Sequence, residues 1–159
     1  MRAVAREADV ALGLVNYHYR DKVGLIRAAL LRIEEQDLTI VEPEPGLAPD
    51  EQLRAALRRV VAPEFLTRDD LSLRLQLWAL APADEIFDEI NATAQRRYRD
   101  GLTGLIQAAR PDLSPAECEG RAMDINIVQN GVWLTALLGL GDGDVDRWVA
   151  RWERIALGP

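Results

Sequence analysis

The sequence predicts an all-α protein. Three observations carry that expectation: apolar residues recur at three- and four-residue steps from end to end, no stretch alternates as a half-buried strand would, and no Asn-Gly turn joins two such stretches. A short helix is expected from Arg2 to about Ala8, with Val4, Ala5 and Ala8 on one face. A turn at Asp9-Val10-Ala11 separates it from a second short helix, Leu12 to Tyr19. Asp21-Lys22 then opens a longer amphipathic helix through Val23, Ile26, Leu30 and Ile33, its apolar face spoiled at the end by Asp37. It stops before Pro43.

The proline-rich segment from Glu42 to Gly46 reads as a break, and Pro49-Asp50-Glu51 as a helix start, with proline and acids in the first turn. That helix is expected to run to about Thr67, kinked or ended by Pro63, which cannot donate an interior hydrogen bond. Asp69-Asp70 begins a strongly apolar helix through Leu71, Leu73, Leu75, Leu77, Trp78 and Leu80, halted at Pro82. A long helix from Ala83 to Arg110 follows and is closed by Pro111. Ser114, Pro115 and Glu117 form the next start signal, in which serine caps the helix and glutamate reaches back to the capping residue. The helix they open reaches Leu140 and carries apolar residues on every side beyond Ile125, as burial on more than one face requires. Gly141 to Asp144 is a turn, and Val145 to Leu157 a last helix with Val145, Trp148, Val149, Trp152 and Ile155 on its apolar side.

Composition limits function. The chain has 159 residues, 48% hydrophobic and 28% charged, with 19 basic against 26 acidic side chains and a net charge of -7. No general basic coat exists to hold nucleic acid or a membrane, so any DNA contact must be local. Residues 1–35 hold 6 basic and 5 acidic groups, which makes the first helices less acidic than the rest. Cys118 is the single cysteine and His18 the single histidine, which argues against a disulfide, a zinc site of the usual ligands or a Ser-His-Asp triad. No metal, cofactor or catalytic residue is expected, and the chain is read as cytoplasmic, with no membrane partner.

Residues 4 to 25 read Val-Ala-Arg-Glu-Ala-Asp-Val-Ala-Leu-Gly-Leu-Val-Asn-Tyr-His-Tyr-Arg-Asp-Lys-Val-Gly-Leu. This segment resembles the helix-turn-helix of the TetR family of bacterial repressors: Ala5, Ala8, Val10, Gly13, Tyr17, His18, Lys22 and Leu25 agree with the family pattern or its common variants. The stretch Asp124 to Leu138 is similar to the C-terminal domain of the branch typified by the choline-sensing betaine-synthesis repressor. The resemblance implies a helix-turn-helix DNA-binding head over 1–24 and a helical-bundle ligand-binding and dimerisation domain over 25–159. It implies operator DNA, a small-molecule effector and a second copy of the chain as partners. Leu12, Asn16 and Tyr17 would face base edges, with His18 and Lys22 at phosphates. Three departures stand out: Asp9 replaces the usual turn glycine, Ala11 replaces the capping serine, and the family carries a further helix ahead of this point. Met1 is accordingly expected to be an internal residue of a longer repressor, with a DNA-independent sensor as the alternative.

In the resembled fold an inner cavity would be walled by the aromatic residues Phe65, Trp78, Phe87, Tyr98 and Trp133, with Met123 beside them. Asn126, Gln129 and Asn130 supply the few fixed polar groups that a mostly apolar pocket needs. Asp124 is expected to pair with a cation or with Arg121 or Arg97. The last two helices present more apolar surface than one small bundle hides, which makes Val128, Val132, Ala136, Leu137, Trp148, Val149 and Trp152 candidates for a homodimer interface.

Overall fold

The computed structural model describes residues 1–140 and 144–159, with Ala83 described by its backbone only. Eight α-helices and no strand occur among the described residues: α1 Arg2–Glu7, α2 Leu12–Tyr19, α3 Lys22–Leu38, α4 Pro49–Arg59, α5 Arg68–Leu80, α6 Glu85–Ala109, α7 Pro115–Leu137 and α8 Val145–Leu157. The expected order is reproduced throughout. Gly141 to Gly143, most of the expected turn before α8, lie outside the described residues.

Local chemistry explains most boundaries. Asp9 adopts a left-handed backbone, φ 52°, and lets the Val10 N–H reach the Ala5 carbonyl at 2.9 Å, closing α1 by the reversed-turn cap that short polar residues tolerate. Gly139, at φ 65°, closes α7 in the same way, with the Leu140 N–H on the Thr135 carbonyl at 3.0 Å. That cap ends α7 at Leu137 rather than at the expected Leu140. The Asp21 carboxylate accepts the Gly24 N–H at 2.8 Å and caps α3. Gly24 has a steric reason as well, because a Cβ there would sit 2.2 Å from the Tyr19 carbonyl oxygen. The Ser114 cap forms as expected: the Glu117 N–H donates to Ser114 Oγ at 3.3 Å and the Ser114 N–H donates to Glu117 Oε2 at 2.8 Å.

A second boundary also differs from expectation. The helix from Pro49 ends at Arg59, and Pro63 instead opens a single 3₁₀ turn, Pro63–Phe65, before Thr67 caps α5 by accepting the Asp70 N–H at 3.1 Å. Proline at the first position of a new turn loses no hydrogen bond, whereas inside α4 it would have removed one.

The bundle core is continuous across α4, α5, α6, α7 and α8, with Leu53, Leu57, Leu102, Ile106, Ile125 and Trp152 fully enclosed. Each such aliphatic side chain contributes about 1.5–3 kcal/mol relative to exposure. A smaller cluster, Leu30, Leu77 and Phe87, joins α3 to α5 and α6. Two arginines finish α8: Arg110 Nη1 donates to the Leu157 carbonyl at 2.8 Å, and Arg121 Nη1 to the Gly158 carbonyl at 2.7 Å. These bonds satisfy carbonyls that the last helical turn leaves without partners. Arg97 goes to Glu34, so neither arginine expected at Asp124 takes that carboxylate in the bonds it forms, and Asp124 lies exposed on α7.

Candidate functional site

The chain builds two separate arrangements, a small head and a cavity, tied together by α3. In the head, α1 packs on α2 and α2 on the start of α3, with Ala5 and Val15 buried between them. Asn16, Tyr17 and His18 on α2 and Lys22 on α3 are exposed, while Leu12 is half-buried. Tyr17 is 81% exposed, an unusual setting for an aromatic ring, and its edge meets His18 with 5.2 Å between ring centres. The position before α2 is Ala11, whose side chain makes no capping bond.

The other end of α3 walls the cavity. Its Glu34 and Asp37 face α6 and α7, and two adjoining spaces of about 30 and 20 Å³ share Glu34, Asp37, Ala94 and Gln95 as common wall. Trp78 lines the first, and Tyr98, Asn126, Gln129, Asn130 and Trp133 line the second. Six of the residues expected at a pocket are thus brought to one place. The other three are not: Phe65 is buried in the main core, Phe87 packs in the small cluster with Leu30 and Leu77, and Met123 is exposed on α7, where its sulfur accepts from Arg99 Nη1 at 3.7 Å. Phe65 lies in the turn ahead of α5, Phe87 sits one turn before the lining residues Ile90 and Asn91 on the same face of α6, and Met123 one turn before Asn126 on α7, so each stands beyond the cavity's edge along the chain rather than in its wall.

Arg74 dominates this interior. It is 2% exposed, its Nη1 donates to Asp37 Oδ2, and its guanidinium lies 4.2 Å from the centre of the Trp133 ring. Trp133 is held in turn by a hydrogen bond from its Nε1 to the Val60 carbonyl at 3.2 Å. Tyr98 donates its hydroxyl proton to Gln129 Oε1 at 2.5 Å, and burial raises the Tyr98 hydroxyl well above its ordinary value, so it stays a donor. Burial also raises the Asp37 carboxyl, with the Arg74 charge and hydrogen bond pulling it down. Glu34 Oε1 accepts from Arg97 Nη1 at 2.7 Å. Sequence reasoning did not place Glu34, Asp37, Arg74 and Gln95 here. The available signal was interruption: Arg74 breaks the leucine run of α5, and Glu34 and Asp37 break the apolar face of α3.

The expected interface set divides by depth. Val128, Val132 and Trp148 line an open groove between α7 and α8, together with Gly131, Arg151 and Arg154. Val149 is buried, Ala136 and Leu137 pack half-buried on the core, and Trp152 is 0% exposed. Trp152 therefore has no surface to offer a partner, which corrects its place in that set: its ring fills the protomer's own core. Besides Met123, Ile127 at 60% and Leu134 at 42% are exposed on α7, and with Leu138, at 58% just past its end, they share one side with Gly131 at four- and three-residue steps.

A two-helix turn joined by one long helix to a bundle with a polar internal cavity is the architecture of a helical transcriptional regulator. Residues 49–156 match the C-terminal domain of the BetI-type transcriptional repressors, and the chain belongs to that branch of the TetR family. It is 25% identical over 148 residues to the HTH-type transcriptional regulator BetI of Burkholderia thailandensis, covering 91% of this chain and 74% of that one. A crystal structure from Pseudomonas aeruginosa PAO1 superposes with a TM-score of 0.82 at 22% identity, covering 97% of this chain and 76% of that one. A bacterial regulatory protein in the tetR family from Rhodococcus RHA1 gives a TM-score of 0.68 at 21% identity, covering 98% and 84%. At these identities the structural likenesses establish the fold.

Proposed function

We propose that this chain is a ligand-responsive transcriptional repressor that binds palindromic operator DNA as a homodimer in the cytoplasm. Residues 1–24 read DNA, residues 25–159 bind effector and partner, and no catalysis is involved. One observation carries the reading: α3 begins against α2 in the head and ends at Glu34 and Asp37 in the cavity wall. A molecule that binds differently to two positions of this helix shifts the population of head positions as well.

In this reading Asn16 pairs with an adenine edge, Leu12 touches a thymine methyl group, Tyr17 contacts the adjoining base, and His18 and Lys22 hold phosphates. The surface around Ile127, Gly131, Leu134 and Leu138 meets its copy across a twofold axis, flanked by Val128 and Trp148. No helix among the described residues is long and apolar enough to cross a membrane. The test is fluorescence anisotropy of the natively expressed protein on labelled DNA from the promoter beside its own gene. Saturable binding that weakens steeply with salt, and that Asn16→Ala and Lys22→Ala each reduce, is expected.

A second reading, a sensor that has lost DNA binding, draws on the head itself. Asp9 puts a negative charge at the turn and Ala11 leaves α2 without a side-chain cap. Absence of a shift at low salt, with effector binding intact, would establish this reading instead.

A further inference from the structure

Asp37 lines both spaces and Arg74 the first, and the ion pair between them is incompletely bonded. Arg74 Nη1 donates to Asp37 Oδ2, yet Arg74 Nε and Asp37 Oδ1 are both buried without a hydrogen-bond partner. Buried donors and acceptors left unmade cost free energy, and in native proteins they are rare. From this arrangement we infer that the cavity takes a small zwitterion, with a carboxylate for the free edge of Arg74 and an ammonium group for Asp37, the charge pattern of a free amino acid. This deepens the ligand-responsive reading above and rests on it.

Charge balance selects the class. A lone cation that captures Asp37 leaves the Arg74 guanidinium buried without its counter-charge, and a lone carboxylate that captures Arg74 does the same to Asp37. Removing one partner from a buried pair is strongly unfavourable. A zwitterion inserted between them leaves each buried charge paired and the net charge of the cavity unchanged. The Trp133 ring, its centre 4.2 Å from the guanidinium carbon, backs the charge on one side, which restricts the directions from which a carboxylate can bond. Glu34, on the same wall as Asp37, offers an ammonium group a second acidic neighbour, and Asn126 and Asn130 supply amides for a further polar substituent. Spaces of about 30 and 20 Å³ hold roughly one water each, so entry requires Asp37 and Arg74 to part. Because Asp37 lies on α3 and Arg74 on α5, that parting moves the helix that carries the head.

The test is calorimetric titration of the full chain with each of the standard amino acids. For the tightest of them, the decarboxylated amine and the deaminated acid are titrated as well. We expect saturable binding of at least one amino acid, with both single-charge counterparts weaker by about tenfold or more. Arg74→Lys, which keeps the charge but loses the guanidinium edge, and Asp37→Asn should each weaken it by at least about tenfold. Far-UV circular dichroism of each variant establishes that it is folded, and Arg74→Lys serves alone if Asp37→Asn is not. The inference is overturned if no amino acid binds, if either single-charge counterpart binds as tightly, or if Arg74→Lys binds undiminished. An amino acid that binds without changing DNA affinity would leave the zwitterion site standing and end the ligand-responsive reading. An amine that releases DNA while no amino acid binds would do the opposite.

Discussion

The Arg74 guanidinium lies 4.2 Å from the centre of the Trp133 ring, and Trp133 is itself tied to the Val60 carbonyl. This stack joins α5, α7 and the end of α4 around a charge that is almost wholly out of water. Arg74 is thus held by its aromatic neighbour as well as by Asp37, and the two contacts separate under mutation.

Asp37→Leu should destabilise the protein by about 3–5 kcal/mol, because it strands the Arg74 charge in the interior. Asp37→Leu combined with Arg74→Met should cost well below the sum of the single changes, since no buried charge then remains. Urea unfolding of the two singles and the double closes this cycle. A double variant as unstable as the sum would show that the pair is not coupled.

The Arg110–Asp112 pair should contribute to the loss of stability in acid. The hydrogen bond from Arg110 lowers the Asp112 carboxyl from 3.8 to about 2. A carboxyl whose folded value is depressed stabilises the fold above the unfolded value and loses that contribution as pH falls from 3.8 towards 2. Asp112→Asn should therefore flatten the dependence of melting temperature on pH in that window and leave the curve above it parallel to wild type. Because Arg110 also holds the Leu157 and Gly158 carbonyls, the protection of amides near the end of α8, measured against their intrinsic exchange rate at each pH, should fall over the same window.

Two glycines of α6 should respond with opposite sign. A Cβ at Gly101 would stand 2.6 Å from Val41 Cγ2, so Gly101→Ala forces apart α6 and the turn at Val41 at a cost of about 1–3 kcal/mol. Gly104 has open space where its Cβ would be, and Gly104→Ala should stabilise by up to about 1 kcal/mol through helix propensity alone. Thermal unfolding of the two variants measures both; equal shifts would mean that the Val41 contact yields without strain.

Interface and core residues of the last two helices should separate cleanly. Leu134→Glu and Ile127→Glu alter exposed positions, so each should leave the protomer folded while sedimentation velocity moves from dimer to monomer. Trp152→Ala empties a fully enclosed site and should cost about 3–5 kcal/mol of protomer stability. A dimer that persists through both glutamate changes would remove this side of α7 from the interface.

The order of helices and most of their ends were legible in the residues. Ser114-Pro115 with Glu117, Asp21 ahead of Lys22 and Pro111 after Arg110 act through neighbours a few positions away, and such signals survive without a fold around them. The head was legible for the same reason, as its pattern occupies one contiguous segment. The cavity was legible only in part. Asn126, Gln129 and Asn130 mark themselves as amides on an apolar helix, whereas Glu34, Asp37 and Arg74 look like ordinary charges on amphipathic helices until their partners are known.

By itself the sequence determined the helical class, the boundaries set by local caps and prolines, and the helix-turn-helix segment, because propensity, capping and periodicity are properties of near neighbours. The tertiary structure alone decided that Asp37 meets Arg74 across 37 residues of chain and that Tyr98 meets Gln129 across 31. It decided equally that Trp152 turns inward while Ile127 and Leu138 remain outside. Those outcomes depend on how whole helices cross, and a crossing is fixed by the summed packing of many side chains rather than by any local pattern.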